Sequence, residues 1–145
     1  MKNQFKLQPV LNYRQTLEDQ AKQDLGRCLQ KEAELMEAIQ VEEQDLGALY
    51  RNLERRQQQG ISVDELLLYQ NRISSKIEQL AHLADRMDRL RDQIVRKREI
   101  LADAARDKKL LEKLKEKKNL QFQQELKRRE TAMLDEIAVQ FHRRF

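Results

Sequence analysis

The sequence predicts an all-α chain, an antiparallel two-helix coiled-coil hairpin whose long second helix extends beyond the first. Three observations carry that expectation. Of 145 residues, 37% are charged and only 5% aromatic, with one Pro, three Gly and no Trp, so the turns, loops and bulky apolar groups of a compact mixed fold are missing. Apolar residues recur at heptad spacing over two long stretches. A single strong turn signal, RRQQQGISVDE, separates them. The expected organisation is therefore one coiled-coil domain over 1–145, with helix over about 9–58, a turn over about 59–62 and helix over about 63–141.

The first helix can begin at Pro9, because a missing N–H is harmless in the first turn and the fixed φ suits helix entry. One heptad column then reads Leu11, Glu18, Leu25, Glu32, Ile39, Leu46, Leu53, and a second reads Arg14, Ala21, Cys28, Leu35, Glu42, Leu49. Val10, Leu17, Leu29, Met36 and Tyr50 widen this seam into a face. Glu18, Glu32 and Glu42 interrupt it, marking places where the seam is weak or where register is specified.

Gly60 suits the left-handed position just past a helix end, and Ser62 with Glu65 has the spacing of a capping box for the next helix. The second helix shows Leu66, Ile73, Leu80, Met87, Ile94 and Leu101 in one column, accompanied by Tyr69, Ile77, Leu83, Leu90, Ala104 and Leu111. No Gly or Pro follows Gly60. Acid-to-base pairs four apart, Asp85/Arg89, Asp92/Arg96 and Glu125/Arg129, support its exposed faces.

A short turn makes the two helices antiparallel neighbours. At 1.5 Å per residue the first would span roughly 75 Å and the second nearly 120 Å. Counting outward from Gly60 sets Val10 opposite a residue near 112, leaving some thirty C-terminal residues as an overhang. The charge excess lies there too: residues 108–145 hold eleven Lys and Arg against six Asp and Glu, whereas the preceding residues balance to within one charge.

That overhang is the candidate binding region. It carries apolar residues at spacings of three, four and seven, among them Leu114, Leu120, Phe122, Leu126, Met133, Leu134, Ile137 and Phe141. An isolated helix is marginal in water unless something buries such a stripe. Around it lie Lys108, Lys109, Lys113, Lys115, Lys117, Lys118, Lys127, Arg128, Arg129, Arg143 and Arg144. The functional expectation is a helix docking into a partner's groove, with charge steering the encounter and the stripe supplying affinity. The plainer alternatives are a solvated tail or one that dimerises.

Other classes fit less well. A nucleic-acid reader usually adds stacking aromatics or a known module, and the acidic residues interspersed from Glu112 to Glu136 oppose both phosphate and an anionic membrane. No apolar run is long enough to span a bilayer, and the N-terminus lacks the apolar stretch of a signal peptide. Cys28 stands alone, and His82 and His142 make no metal-ligand set. With Gly26 and Gly47 isolated in helical pattern and no buried carboxylate pair expected, neither an enzyme site, a cofactor, nor a small-molecule substrate is anticipated.

Two stretches resemble the FliJ family: the opening FKLQPVLNYRQTLEDQAKQDL, with its F-x-L-x-x-V-L-x-x-R start from Phe5 to Arg14, and the closing KKLLEKLKEKKNLQFQQELKRRETAMLDEIAVQF, with the basic Leu111–Lys117 run and Asp135–Ala138. The resemblance implies a soluble, non-enzymatic component of the bacterial flagellar type III protein export apparatus, a stalk similar to the central shaft of rotary ATPases. Implied partners are the hexameric flagellar export ATPase, the membrane export gate protein and, in some members, export chaperones, at the cytoplasmic face of the inner membrane. It further implies that Leu111–Lys118 and Asp135–Ala138 face the ATPase ring while the hairpin body and tip reach toward the gate. Together with the overhang, the expected partner-binding residues are Leu111, Lys113, Leu114, Lys115, Lys117, Lys118, Phe122, Leu126, Met133, Asp135, Glu136, Ile137 and Phe141. Stalk proteins of virulence type III secretion share this architecture, and a generic coiled-coil adaptor or chaperone would share the heptads.

Overall fold

The computed structural model describes residues 4–144. Two helices, α1 over Gln8–Gln59 and α2 over Val63–Arg144, pack against each other as a helical hairpin, with no strand among the described residues. Pro9 is the second residue of α1, where its absent N–H leaves no bond unmade. Ahead of it, the Gln8 N–H donates to the Phe5 carbonyl at 3.0 Å and the Leu11 N–H to that of Leu7 at 2.9 Å.

At the turn Gly60 adopts φ 97°, the left-handed region that a Cβ disfavours. Ser62 caps α2 by accepting the Glu65 N–H at its Oγ, 3.2 Å away. The reciprocal half of the capping box is not made. Both Glu65 carboxylate oxygens instead accept from Arg56, Nε and Nη2 each at 2.9 Å, tying the last turn of α1 to the first turn of α2. A bidentate guanidinium outcompetes a single backbone N–H for this carboxylate.

Two compact units divide the chain. In the Ala21–Ile100 unit, the seam buries Ala21, Cys28 and Leu35 from α1 against Ile73, Met87 and Ile94 from α2. The heptad columns hold apart from Ile77, which is 49% exposed, but the residues expected to widen the seam into a face do not join it: Leu29, Met36 and Tyr50 are exposed, as is Val10, because two helices bury only a narrow seam. A strict heptad from Tyr69 passes through Lys76 rather than Ile77, and the half-buried Lys76 reaches across to Glu42 at 2.6 Å and Asp45 at 3.4 Å. Lys97, in the same column, comes within 3.9 Å of Asp24, and Arg91 within 3.6 Å of Glu32.

The other unit comprises the chain up to Gln20 and from Leu101 onward. Leu11 is buried here. So is Glu18, at 7% exposure, with the Lys108 ammonium 3.4 Å from its carboxylate and 3.5 Å from Glu112. Arg14 meets Asp107 at 3.4 Å, and the Lys115 ammonium donates to Gln8 Oε1 at 2.7 Å. These pairs set Val10 near residue 112, the register expected from counting away from the turn.

All three glutamates that interrupt the α1 seam therefore face a cation from α2: Glu18 with Lys108, Glu32 with Arg91, Glu42 with Lys76. A carboxylate at a seam position is tolerated when an opposite charge arrives at the same level, and a slipped alignment would strand it. Each interruption thus coincides with a cross-helix ion pair. Of the exposed pairs four apart, Asp85/Arg89 closes at 3.0 Å and Glu125/Arg129 at 3.3 Å, while Asp92 and Arg96 form no ion pair among the described residues.

Candidate functional site

The thirteen expected partner-binding residues all lie on α2, and the structure separates them into two zones. In the first, Leu111, Leu114, Lys115 and Phe122 are half-buried, because α1 and the segment ahead of it lie over them. Phe5, Leu7, Leu114, Lys118 and Phe122 line a groove of about 480 Å³. Lys115 is held by Gln8, whereas Lys113, Lys117 and Lys118 remain exposed. Phe122 thus belongs to the packed end of the hairpin and not to a bare overhang. Phe5 and Leu7 did not figure among the expected site residues, although the same count from the turn places Phe5 opposite a residue near 117.

The second zone begins at Leu126. Met133, Asp135, Glu136, Ile137 and Phe141 are all exposed there. With 3.6 residues per turn, Leu126, Met133 and Ile137 fall within about 40° of one another, on the side of α2 that Leu111, Lys115 and Phe122 present to α1. The apolar stripe is thus the hairpin seam continued past the end of its facing helix. Leu126 is 37% exposed, Ile137 55% and Met133 64%.

Charge in this zone is organised locally. The Glu125 carboxylate accepts from Arg128 Nη2 at 2.8 Å and Arg129 Nε at 3.3 Å. The Arg128 hydrogen bond holds the Glu125 carboxyl below the ordinary carboxylate value, and Glu125 in turn raises the guanidinium of Arg128. Lys127, Asp135 and Glu136 make no ion pair among the described residues. The zone therefore offers an open apolar stripe with uncommitted charges of both signs beside it, a chemistry suited to receiving another helix. Among the described residues no group of His, Cys, Asp or Glu is placed to hold a metal ion, and no helix is long and apolar enough to cross a membrane.

Similarity to known proteins runs through both zones and the hairpin. The family model described as "Flagellar FliJ protein" matches residues 2–144. The chain belongs to the FliJ family. A curated FliJ, the Flagellar FliJ protein of Bacillus subtilis (strain 168), is 26% identical over 139 residues, covering 96% of this chain and 95% of its relative. No solved structure matches. FliJ membership makes this a flagellar export apparatus protein.

Proposed function

We propose that this FliJ-family chain is the stalk of the flagellar export apparatus, docking the C-terminal part of α2 onto the hexameric export ATPase and presenting its hairpin to the membrane export gate. Export chaperones are further partners in this reading, which operates at the cytoplasmic face of the inner membrane, without nucleic acid or a small-molecule substrate. The observation that supports it is the seam stripe of Leu126, Met133 and Ile137, which runs on past the first residue of the facing helix, Gln8. A helix from a partner can complete that seam just as α1 completes it elsewhere.

The exposed Lys118 flanks the stripe's near end while Lys113 and Lys117 lie on the far side of α2, and together these charges would steer an acidic partner while the stripe supplies the burial. A single stalk on a six-fold ring contacts only some subunits at once, so its binding biases the ring's states and the ring's states bias its binding. The ring supplies the hydrolysis in this scheme, and the stalk contributes binding energy.

The test is ATPase capture and stimulated ATP hydrolysis with a Leu126→Ser, Met133→Ser, Ile137→Ser triple variant. Binding should weaken by at least tenfold, roughly the effect of removing 1.4 kcal/mol, while the melting of the hairpin stays in place. Unchanged stimulation by the triple variant would reject docking through this stripe. Reversing Lys113 and Lys117 to Glu should slow association and flatten its salt dependence, without the hairpin loosening that loss of Lys115 would bring.

A further inference from the structure

We propose that one flank of the Ala21–Ile100 unit is a docking surface for a third helix, an amphipathic helix of a partner protein whose apolar stripe is bordered by Lys and Arg. On α1 that flank carries Leu29, Met36 and Tyr50, spaced by multiples of seven and all exposed. On α2 it carries Leu67, Ile77 and Val95, each about half exposed, with Ala81 and Ala84 between them. Like flanks adjoin in an antiparallel pair, and Ala33 and Met36 accordingly share a groove of about 780 Å³ with Ala84 and Met87. The opposite flank is polar, with Lys31, Asp45, Arg72 and Arg86 in the equivalent heptad positions.

Two glycines point to the same flank. Gly26, Ala33 and Gly47 fall in one heptad column, beside that of Leu29, Met36 and Tyr50. A Cβ on Gly26 would meet nothing within 4 Å, and one on Gly47 would meet only the flexible end of Arg51, Nη1 at 3.3 Å. The hairpin's own packing therefore requires neither glycine, although each weakens the helix that holds it. Small residues next to an exposed apolar column let an outside helix approach closely, and that approach is what the glycines serve.

Charge selects the occupant. Glu37, Glu43 and Asp88 line the groove without an ion pair among the described residues, whereas its cation, Arg91, lies 3.6 Å from Glu32. The free charge around the groove is acidic, so a helix with basic borders is attracted and one with acidic borders is repelled. The flank shares no residue with the C-terminal stripe, so either surface can be lost without the other.

The probe is a labelled synthetic peptide of about three heptads, with Leu and Ala in its stripe and Lys on both borders, titrated with the full chain. A twin peptide carries Glu in place of Lys. The Lys peptide should bind at least about tenfold more tightly than its twin, and Glu43→Lys with Asp88→Lys should erase that preference. Gly26→Gln with Gly47→Gln should weaken binding about tenfold while raising the melting temperature of the hairpin, since Gln is the better helix former. The Leu126→Ser, Met133→Ser, Ile137→Ser variant should bind the Lys peptide as the unmodified chain does. Absent binding, equal binding of both peptides, undiminished binding after the two glycine substitutions, or loss of binding in the C-terminal variant would each overturn the proposal. So would a dimer of the chain alone that Met36→Gln dissolves, which would give the flank to a second copy.

Discussion

The Ala21–Ile100 unit and the stretch of α2 beyond Leu126 carry similar heptad patterns and behave differently. In the unit, Ile73, Met87 and Ile94 are buried because α1 supplies the opposing face. Beyond Leu126 the stripe is as regular, yet Met133 and Ile137 remain more than half exposed. Charges divide in the same way. Within the unit, Glu32 and Glu42 are answered by Arg91 and Lys76 from the other helix, whereas Glu125 finds its arginines one turn along its own helix. A heptad stripe thus specifies a surface that seeks a partner helix, and the reach of α1 decides which part of it is paired within the hairpin.

The largest expected effect separates the two stripes by stability. Ile94→Ala should destabilise the hairpin by about 2–4 kcal/mol, since it removes transfer energy and leaves a gap in a packed seam. Ile137→Ala should change it by no more than about 0.5 kcal/mol. Urea denaturation of both variants is decisive, and equal losses would mean that the C-terminal stripe is closed within the folded chain.

A smaller effect tests whether polar seam positions are register marks. Lys108→Met removes the cation that faces the buried Glu18 carboxylate, and a buried charge that loses a partner costs about 1–3 kcal/mol. Adding Glu18→Leu should recover most of that stability, because an apolar pair fills the same space without desolvating charge. The double variant should also lose some specificity of alignment, read as broadened amide resonances around Leu11 and Leu111. Full stability with sharp resonances would show that the pair contributes nothing to register.

Most of this architecture was legible in the sequence because its signals are local or periodic. Gly60 followed by Ser62 fixed the turn, and the columns through Ile73 and Leu35 fixed the faces. What periodicity alone did not resolve was competition between neighbours. Lys76 displaces Ile77 from the seam because Glu42 and Asp45 await it, and Glu65 abandons the capping box because Arg56 binds both its oxygens. Such outcomes depend on what the other helix brings to the same level. The candidate site was legible as a stripe, but its near end was not, since the cover given to Phe122 by Phe5 and Leu7 comes from residues ahead of α1.

The smallest expected effect compares two depressed carboxyls, one made by tertiary structure and one by a single helix. Arg56 holds Glu65 below the ordinary carboxylate value chiefly through their side-chain hydrogen bond, and Arg128 does the same for Glu125. Glu65's partner lies on the other helix, so unfolding separates them and returns the carboxyl to its ordinary value. A carboxyl depressed in the folded state binds its proton more weakly there than in the unfolded chain. Its contribution to stability is therefore complete above the ordinary value and disappears as pH falls through the folded one. For Glu125 the partners sit three and four residues away, and only loss of the helix itself separates them. Carboxyl resonances followed by NMR should show both groups titrating low in the unmodified chain. Arg56→Gln should raise Glu65 toward its ordinary value and leave Glu125 where it was. If Glu65 stays low in that variant, the Ser62-capped N-terminus of α2 rather than the crossing guanidinium governs it, and the turn is held from one side only.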